Sequence, residues 1–339
     1  MKYSIVVPVY NRPDEVDELL ESLCSQTYKD FEVVIVEDGS NITCKDVCDK
    51  YAGILSIHYY YKENSGPGQS RNFGVERAQG EYVIIVDSDA VTPPGYMQAI
   101  DDELQRQPSD AWGGPDAAHE SFTDIQKAIS YAMTSFFTTG GIRGGKKQLD
   151  KKFYPRSFNL GVRREVYNQL GGFSTERFSK MSLYGEDIDF SIRIYKDGFS
   201  CRLFPDAWLW HKRRTDFRRF WRQVYNSGYA RVNLGRKYPE ALKAVHILPA
   251  LFTVGVVVLL CCWLTGEILF FSGISQKLGL YMSLFSLLPL LLFSAIIFID
   301  SSIRNRSIRV GLLSVPAAFI QLIGYGVGFI ESLMSKRHG

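Results

Sequence analysis

Three long stretches without a charge do most to limit what this chain can fold into. No Asp, Glu, Lys or Arg occurs between Lys243 and Glu267, between Lys277 and Asp300, or between Arg309 and Glu331. These gaps hold 23, 22 and 21 residues and are rich in Leu, Ile, Val and Phe. A helix needs about 20 apolar residues to cross a bilayer core, so each gap is long enough to span. No comparable run precedes Lys243. The 339 residues therefore divide into a soluble part of about 240 residues and a membrane tail.

Charge and cysteine usage orient that tail. The net charge is +3, yet residues 212–243 carry ten Lys or Arg against two acids. A basic block abutting an apolar span reads as a cytoplasmic flank facing anionic lipid, which displaces the rival reading of a nucleic-acid surface. The opening MKYSIVVPVYNRPDE is too short and too soon polar for a signal peptide. The six cysteines form no metal-type or disulfide framework. Both observations point to a cytoplasmic soluble part on the cell (inner) membrane. Two spans then return loop 300–309, with Arg304, Arg306 and Arg309, to the cytoplasm. A third span leaves Lys336 and Arg337 outside, against that tendency. Three spans are the expectation, with a re-entrant or interfacial third segment as the alternative. Ahead of the tail, Phe217, Phe220, Trp221, Val224 and Tyr225 recur at helical spacing with Arg218, Arg219 and Arg222 between them. That pattern predicts a basic amphipathic helix, lying in the membrane interface, packed on the catalytic domain, or both.

The first hundred residues alternate strand and helix. Tyr3–Val9 is a β-branched run, and Val16, Leu19, Leu20 and Leu23 then follow at i, i+3, i+4 and i+7. Residues 31–37, 55–61 and 82–86 read as further strands, and 68–78 as a helix. Strands apolar throughout, separated by helices, imply a parallel sheet covered on both faces. Ligands of such sheets bind beyond the carboxyl ends of the strands. There stand Tyr10 and Asn11, then Glu37-Asp38-Gly39-Ser40, then Asp87-Ser88-Asp89. Asp and Gly after a strand often only make a turn. Asp87 and Asp89, however, repel one another at a buried strand's exit unless a cation lies beside them. Hard ions such as Mg²⁺ or Mn²⁺ take oxygen ligands from protein, water and phosphate, so Asp-x-Asp suits a metal–diphosphate complex.

IVVPVYN, VEDGS, SGPGQSRNFG, VDSDA, LGGF and GEDIDF, in that order, resemble family 2 of the glycosyltransferases from about Ile5 to His211. The resemblance implies a GT-A fold: a Rossmann-like, mixed but mainly parallel sheet with helices on both faces. It divides the chain into a catalytic domain (1–214), a basic interfacial segment (215–243) and a membrane domain (244–333). It implies that Pro8, Tyr10 and Asp38 wall the nucleotide base, with uracil favoured. Arg71 would lie near the diphosphate, Asp87 at the ribose or sugar, and Asp89 on a divalent cation, with His211 on metal or diphosphate. Asp187 of Gly185-Glu186-Asp187 matches the base that deprotonates an acceptor hydroxyl in an inverting transfer. Glu186 and Asp189 would raise its pKa by like-charge repulsion. Asp116, Asn159 and Glu186 are expected on the acceptor side.

A polyprenyl phosphate is already ionised and needs a base less. The GED element therefore favours a hydroxyl of a lipid-linked saccharide or polysaccharide over a polyprenyl-phosphate acceptor. A non-catalytic nucleotide-sugar scaffold and a transporter subunit are the readings from other classes. The intact acidic motifs count against the first, and spans without charge against the second. Residues 140–147 nearly spell a P-loop, but Lys147 stands where the metal-binding hydroxyl belongs. Arg71 at the third glycine position of Gly66-Pro67-Gly68 argues against a dehydrogenase.

Overall fold

The computed structural model describes residues 1–117, 122–140, 153–174, 184–212 and 214–335. Residues 141–147 of the near P-loop, and Lys336 with Arg337, lie outside them. Contacts divide the chain into two compact units, Met1–Glu120 with Gly144–Lys212, and Ser121–Arg143 with Arg213–Gly339. The strands are β1 (Tyr3–Val9), β2 (Phe31–Asp38), β3 (Ser56–Lys62), β4 (Tyr82–Val86) and β5 (Ala90–Val91). They continue as β6 (Ala111–Gly113), β7 (Asp116–Ala117), β8 (Asn159–Arg163), β9 (Cys201–Leu203) and β10 (Leu209–His211). The helices are α1 (Pro13–Cys24), α2 (Lys45–Tyr51), α3 (Pro67–Arg77), α4 (Tyr96–Arg106), α5 (Asp124–Thr134) and α6 (Phe136–Thr139). Then come α7 (Arg164–Gln169), α8 (Glu186–Lys196), α9 (Phe217–Lys237), α10 (Leu248–Phe271), α11 (Gln276–Asn305), α12 (Ile308–Phe319) and α13 (Tyr325–Met334).

In the first unit a seven-stranded sheet runs in the order β3-β2-β1-β4-β8-β6-β9. β1 to β4 are mutually parallel, and β8 is antiparallel to both β4 and β6. Alternation along β1 sends Tyr3, Ile5, Val7 and Val9 to one core and Val6 to the other. The first core takes the predicted stripe of α1 (Val16, Leu19, Leu20, Leu23) with residues of α2 and α4. The second takes residues of α3, α7 and α8. Edge strand β3 departs from the expectation of strands buried throughout: it is half-buried, and Tyr61 is 56% exposed. Its hydrogen-bonding partner lies on one side only, so solvent reaches it.

A second sheet, β5-β10-β7, does the positioning. β10 pairs antiparallel with β5, setting His211 opposite Ala90, directly after the Asp87-Ser88-Asp89 turn. Two residues far apart in sequence thereby reach the carboxyl rim of β4.

The second unit holds three helical stretches long and apolar enough to cross a membrane: Ala244–Phe271, Gln276–Asn305 and Ile308–Met334. Helices α5 and α6 group with this unit. Ala128, Ile129, Ala132 and Met133 of α5 pack with Phe220, Val224, Val310 and Ala317. The basic amphipathic helix takes part in the same cluster. Phe220 and Val224 of α9 are buried against protein helices, while Trp221 stays 37% exposed. An aromatic stripe reports that a face is covered, not what covers it.

Candidate active site at the carboxyl rim of the sheet

Strand β4 ends at Val86, and the chain turns at once, with the Ala90 amide donating to the Asp87 carbonyl at 3.1 Å. Ligand atoms of Asp87, Asp89 and His211 all lie within 4.8 Å of one another. His211 Nε2 stands 3.1 Å from Asp89 Oδ1 and 3.8 Å from Asp87 Oδ2. Phe158 stacks on the imidazole at 4.7 Å between centroids and fixes its plane. Arg12, just after β1, donates to Asp89 Oδ2 at 2.8 Å and to Glu15 at the same distance. Burial alone would raise the Asp89 carboxyl, but His211 and Arg12 hold it well below the usual carboxylate range. Asp89 is therefore an anion at any ordinary pH.

Arg71 links this cluster to the start of α8. Its guanidinium, 4% exposed, donates to Glu186 Oε1 at 2.5 Å and to Asp87 Oδ1 at 3.0 Å. Gly185 enters α8 with φ +95°, a conformation that L side chains rarely adopt, and Glu186 and Asp187 open the helix. Burial, with Asp187 and Asp87 adding repulsion, pushes Glu186 up to about 7 against the pull of Arg71. Asp187 Oδ2 lies 3.3 Å from Arg156. These side chains thus form one series of polar contacts from Arg12 through Asp89, His211, Asp87 and Arg71 to Glu186, with Asp187 next in the chain and paired with Arg156. Asp189 is fully buried and pairs with Arg193 at 2.9 Å.

The exits of β1 and β2 form a second cluster. Pro8 lies within β1, and Tyr10 beyond it is 51% exposed. Asn11 adopts φ +53° and its Oδ1 accepts from the Asn41 and Ile42 amides at 2.8 and 3.1 Å. Asp38 accepts from the Ser65 and Gly66 amides, both at 2.9 Å, and from Lys62. Burial raises its carboxyl, yet these donors win and hold it below its ordinary value. They occupy three of about four acceptor positions on the carboxylate.

Of the residues singled out in the sequence, Asp87, Asp89, His211, Arg71, Glu186 and Asp187 come together, and Pro8, Tyr10 and Asp38 gather at the neighbouring strand exits. Asp116 starts β7, opposite Leu209 of β10. Two residues expected on the acceptor side are engaged within the protein. Asn159 is 1% exposed, with its Oδ1 bonded by Tyr96 at 2.8 Å and its Nδ2 by the Ala207 carbonyl at 2.9 Å. It is a cross-brace without a free polar end. Glu186 is 5% exposed, with its Oε1 turned to Arg71. Sequence reasoning missed Arg12, Lys62, Arg156 and Phe158. Arg12 could have been found, since it shares the strand exit with Tyr10. Arg156 and Phe158 sit in a segment with no periodicity to announce them.

Two carboxylates and an imidazole, one carboxylate held ionised, make a donor set that suits Mn²⁺ or Mg²⁺. Sheet, rim acids and histidine together define a GT-A-type glycosyltransferase domain. Residues 4–171 match the family model for glycosyl transferase family 2, and the chain belongs to that family. It is 30% identical over 137 residues to an uncharacterized glycosyltransferase of Rickettsia felis, covering 40% of this chain and 22% of that protein. It is 26% identical over 257 residues to the glucosyl-dolichyl phosphate glucuronosyltransferase of Haloferax volcanii, covering 71% and 80%. The mannosyltransferase PcManGT from Pyrobaculum calidifontis, solved with GDP-Man and Mn²⁺, shares the fold. That likeness has TM-score 0.59 at 16% identity over 99% of this chain and 88% of that one. The chain spans only about a fifth of the Rickettsia protein's length.

Proposed function

We propose that the chain moves a sugar, with inversion, from a nucleoside-diphosphate sugar, a UDP-sugar first, to a hydroxyl of a lipid-linked saccharide or polysaccharide. It does so at the cytoplasmic face of the cell membrane. The carrying observation is the series of polar contacts that runs from Asp89 and His211 through Asp87 and Arg71 to the GED corner. It sets a donor-side cluster beside a carboxylate that can take a proton. The Haloferax volcanii relative supports the acceptor class, being named for transfer to a sugar already carried on dolichyl phosphate. The GDP-Man and Mn²⁺ in the Pyrobaculum structure support a metal-assisted nucleotide-sugar donor.

In this reading Asp89 and His211 hold the cation and Asp87 faces the ribose or sugar. A divalent cation there stabilises charge developing on the departing diphosphate. Tyr10 offers an exposed ring to the base, with Pro8 and Asp38 shaping the wall. Arg71, tied to Asp87, acts on the donor by fixing that carboxylate. Asp187 takes the acceptor hydroxyl's proton as the oxygen attacks the anomeric carbon. Glu186, turned away, holds the opening turn of α8 in place.

Membranes containing the protein, offered a panel of nucleotide sugars and lipid-linked saccharides, test this directly. Divalent-dependent release of a nucleoside diphosphate with glycosylated lipid is expected, with a drop of about 10²-fold or more in Asp187→Asn. Transfer undiminished in EDTA overturns the cation's role, and transfer undiminished in Asp187→Asn overturns that of the base.

A further inference from the structure

The third apolar helix, Ile308–Met334, meets only one end of the other two. Its first turns run beside the last turns of α11: Ser314 Oγ lies 2.7 Å from Ser301 Oγ, and Ala318 packs with Ile297. The ring of Phe319 then meets Phe293 of α11 at 5.5 Å and Phe252 of α10 at 6.0 Å. From there the helix stops advancing along the hairpin. A Cβ on Gly326 would fall 2.4 Å from the Pro249 carbonyl, and Phe329 packs with Ala250 and Val232. About ten residues, roughly 15 Å of helix, thus cross the opening turns of α10. Pro316 and the π-helical Ile320–Gly324 stand where the course changes, and both features bend helices. The final turns bond α9, with Tyr225 donating to Glu331 and Arg236 to the Ser332 carbonyl at 2.7 Å.

Phe252 and Phe293 face each other at 5.3 Å, so they mark one depth in the hairpin. Beyond that depth α10 has about 19 residues left before its end, a rise of about 28 Å, close to the thickness of a hydrocarbon core. In that stretch α10 and α11 meet each other, where a Cβ on Gly266 would come within 2.8 Å of the Gly279 carbonyl.

We propose that α10 and α11 alone cross the bilayer, as a hairpin. The third helix lies in the headgroup interface at the hairpin's open end, and its partner is lipid. Ile308, Leu312 and Leu333 stay exposed on it as an apolar surface for acyl chains. Its ends are tied to polar groups: Arg309 pairs with Asp124 at 3.2 Å, and Glu331 with Tyr225. The C-terminus then returns to the face from which the hairpin leaves. Lys336 and Arg337 cease to conflict with the charge rule that three spans break. This topology stands independently of the transfer reaction.

Reporters in the full-length chain test it. Alkaline phosphatase, active only outside, and green fluorescent protein, fluorescent only inside, are placed after Gly339 and, separately, at Gly273 in the hairpin turn. Two spans put these sites on opposite sides, giving phosphatase activity at Gly273 and fluorescence at Gly339. Three spans put them on the same side, and phosphatase activity at both overturns the proposal. A short epitope tag at each site gives a second readout, by protease treatment of sealed vesicles. Cleavage in vesicles of opposite orientation supports the hairpin, and cleavage in the same vesicles sinks it.

Discussion

In the first unit Glu32, Glu37, Asp38, Arg71, Asp89 and Glu186 are all buried. The buried polar residues of the apolar helices are Thr253, Ser283, Ser286, Ser301, Ser314, Gln321 and Ser332. An ionised group survives burial only with a partner, and the sheet rim supplies partners in series: Lys62 for Asp38, Arg12 for Asp89, Asp87 for Arg71. The helices follow another rule. Some of their hydroxyls bond the carbonyl one turn back, as Ser314 does to Val310 and Thr253 to Pro249, both at 2.8 Å. Glycines let the backbones approach. The rim therefore holds charge ready for chemistry, while the helical unit holds shape.

Five substitutions can break or sharpen that contrast. Asp89→Ala should cut nucleoside diphosphate release about 10³-fold, and a rate within tenfold of the parent would deprive the rim of its chemical meaning. Arg71→Met leaves two acids without their shared cation and should cost about 3–5 kcal/mol in denaturant unfolding of the solubilised protein. Adding Glu186→Leu should restore much of it, and a single variant as stable as the parent would refute paired burial. Gly228→Val drives a side chain into the Tyr325 carbonyl, 2.1 Å from an ideal Cβ, and should cost about 1–3 kcal/mol. Turnover per folded molecule should stay unchanged, and a selective loss of turnover would blur the two roles. Glu186→Gln should flatten a pH slope. Burial lifts this carboxyl from 4.5 to about 7, so the folded chain keeps a proton there that the unfolded chain releases. Stability should then fall as pH rises from about 4.5 to about 7. An unchanged slope in the Gln variant would mean that Glu186 is ionised in its pair with Arg71.

Parts of this were legible in the sequence for a physical reason. Tyr3–Val9 and Tyr82–Val86 are continuous apolar runs in central parallel strands, and both fall where the pattern put them. The stripe of α1 is buried residue for residue because one face meets one sheet. β6, β9 and β10 are three residues each, too short for any period to declare. The acids of the site were readable because turns after strands are where ligands bind. Arg156 and Phe158 were not, since only tertiary packing brings them beside Asp187 and His211. Asn159 misled because a polar residue in a motif looks the same whether it faces a substrate or a neighbouring strand.

Gly68 of the SGPGQSRNFG segment has one more consequence. An ideal Cβ there would stand 2.3 Å from Glu186 Oε2, so the missing side chain is the seat in which that acid rests. Even alanine would push the acid off and loosen its grip on Arg71. A methyl group on the third helix of the sheet would then be felt two salt bridges away, at Asp87 of the rim cluster.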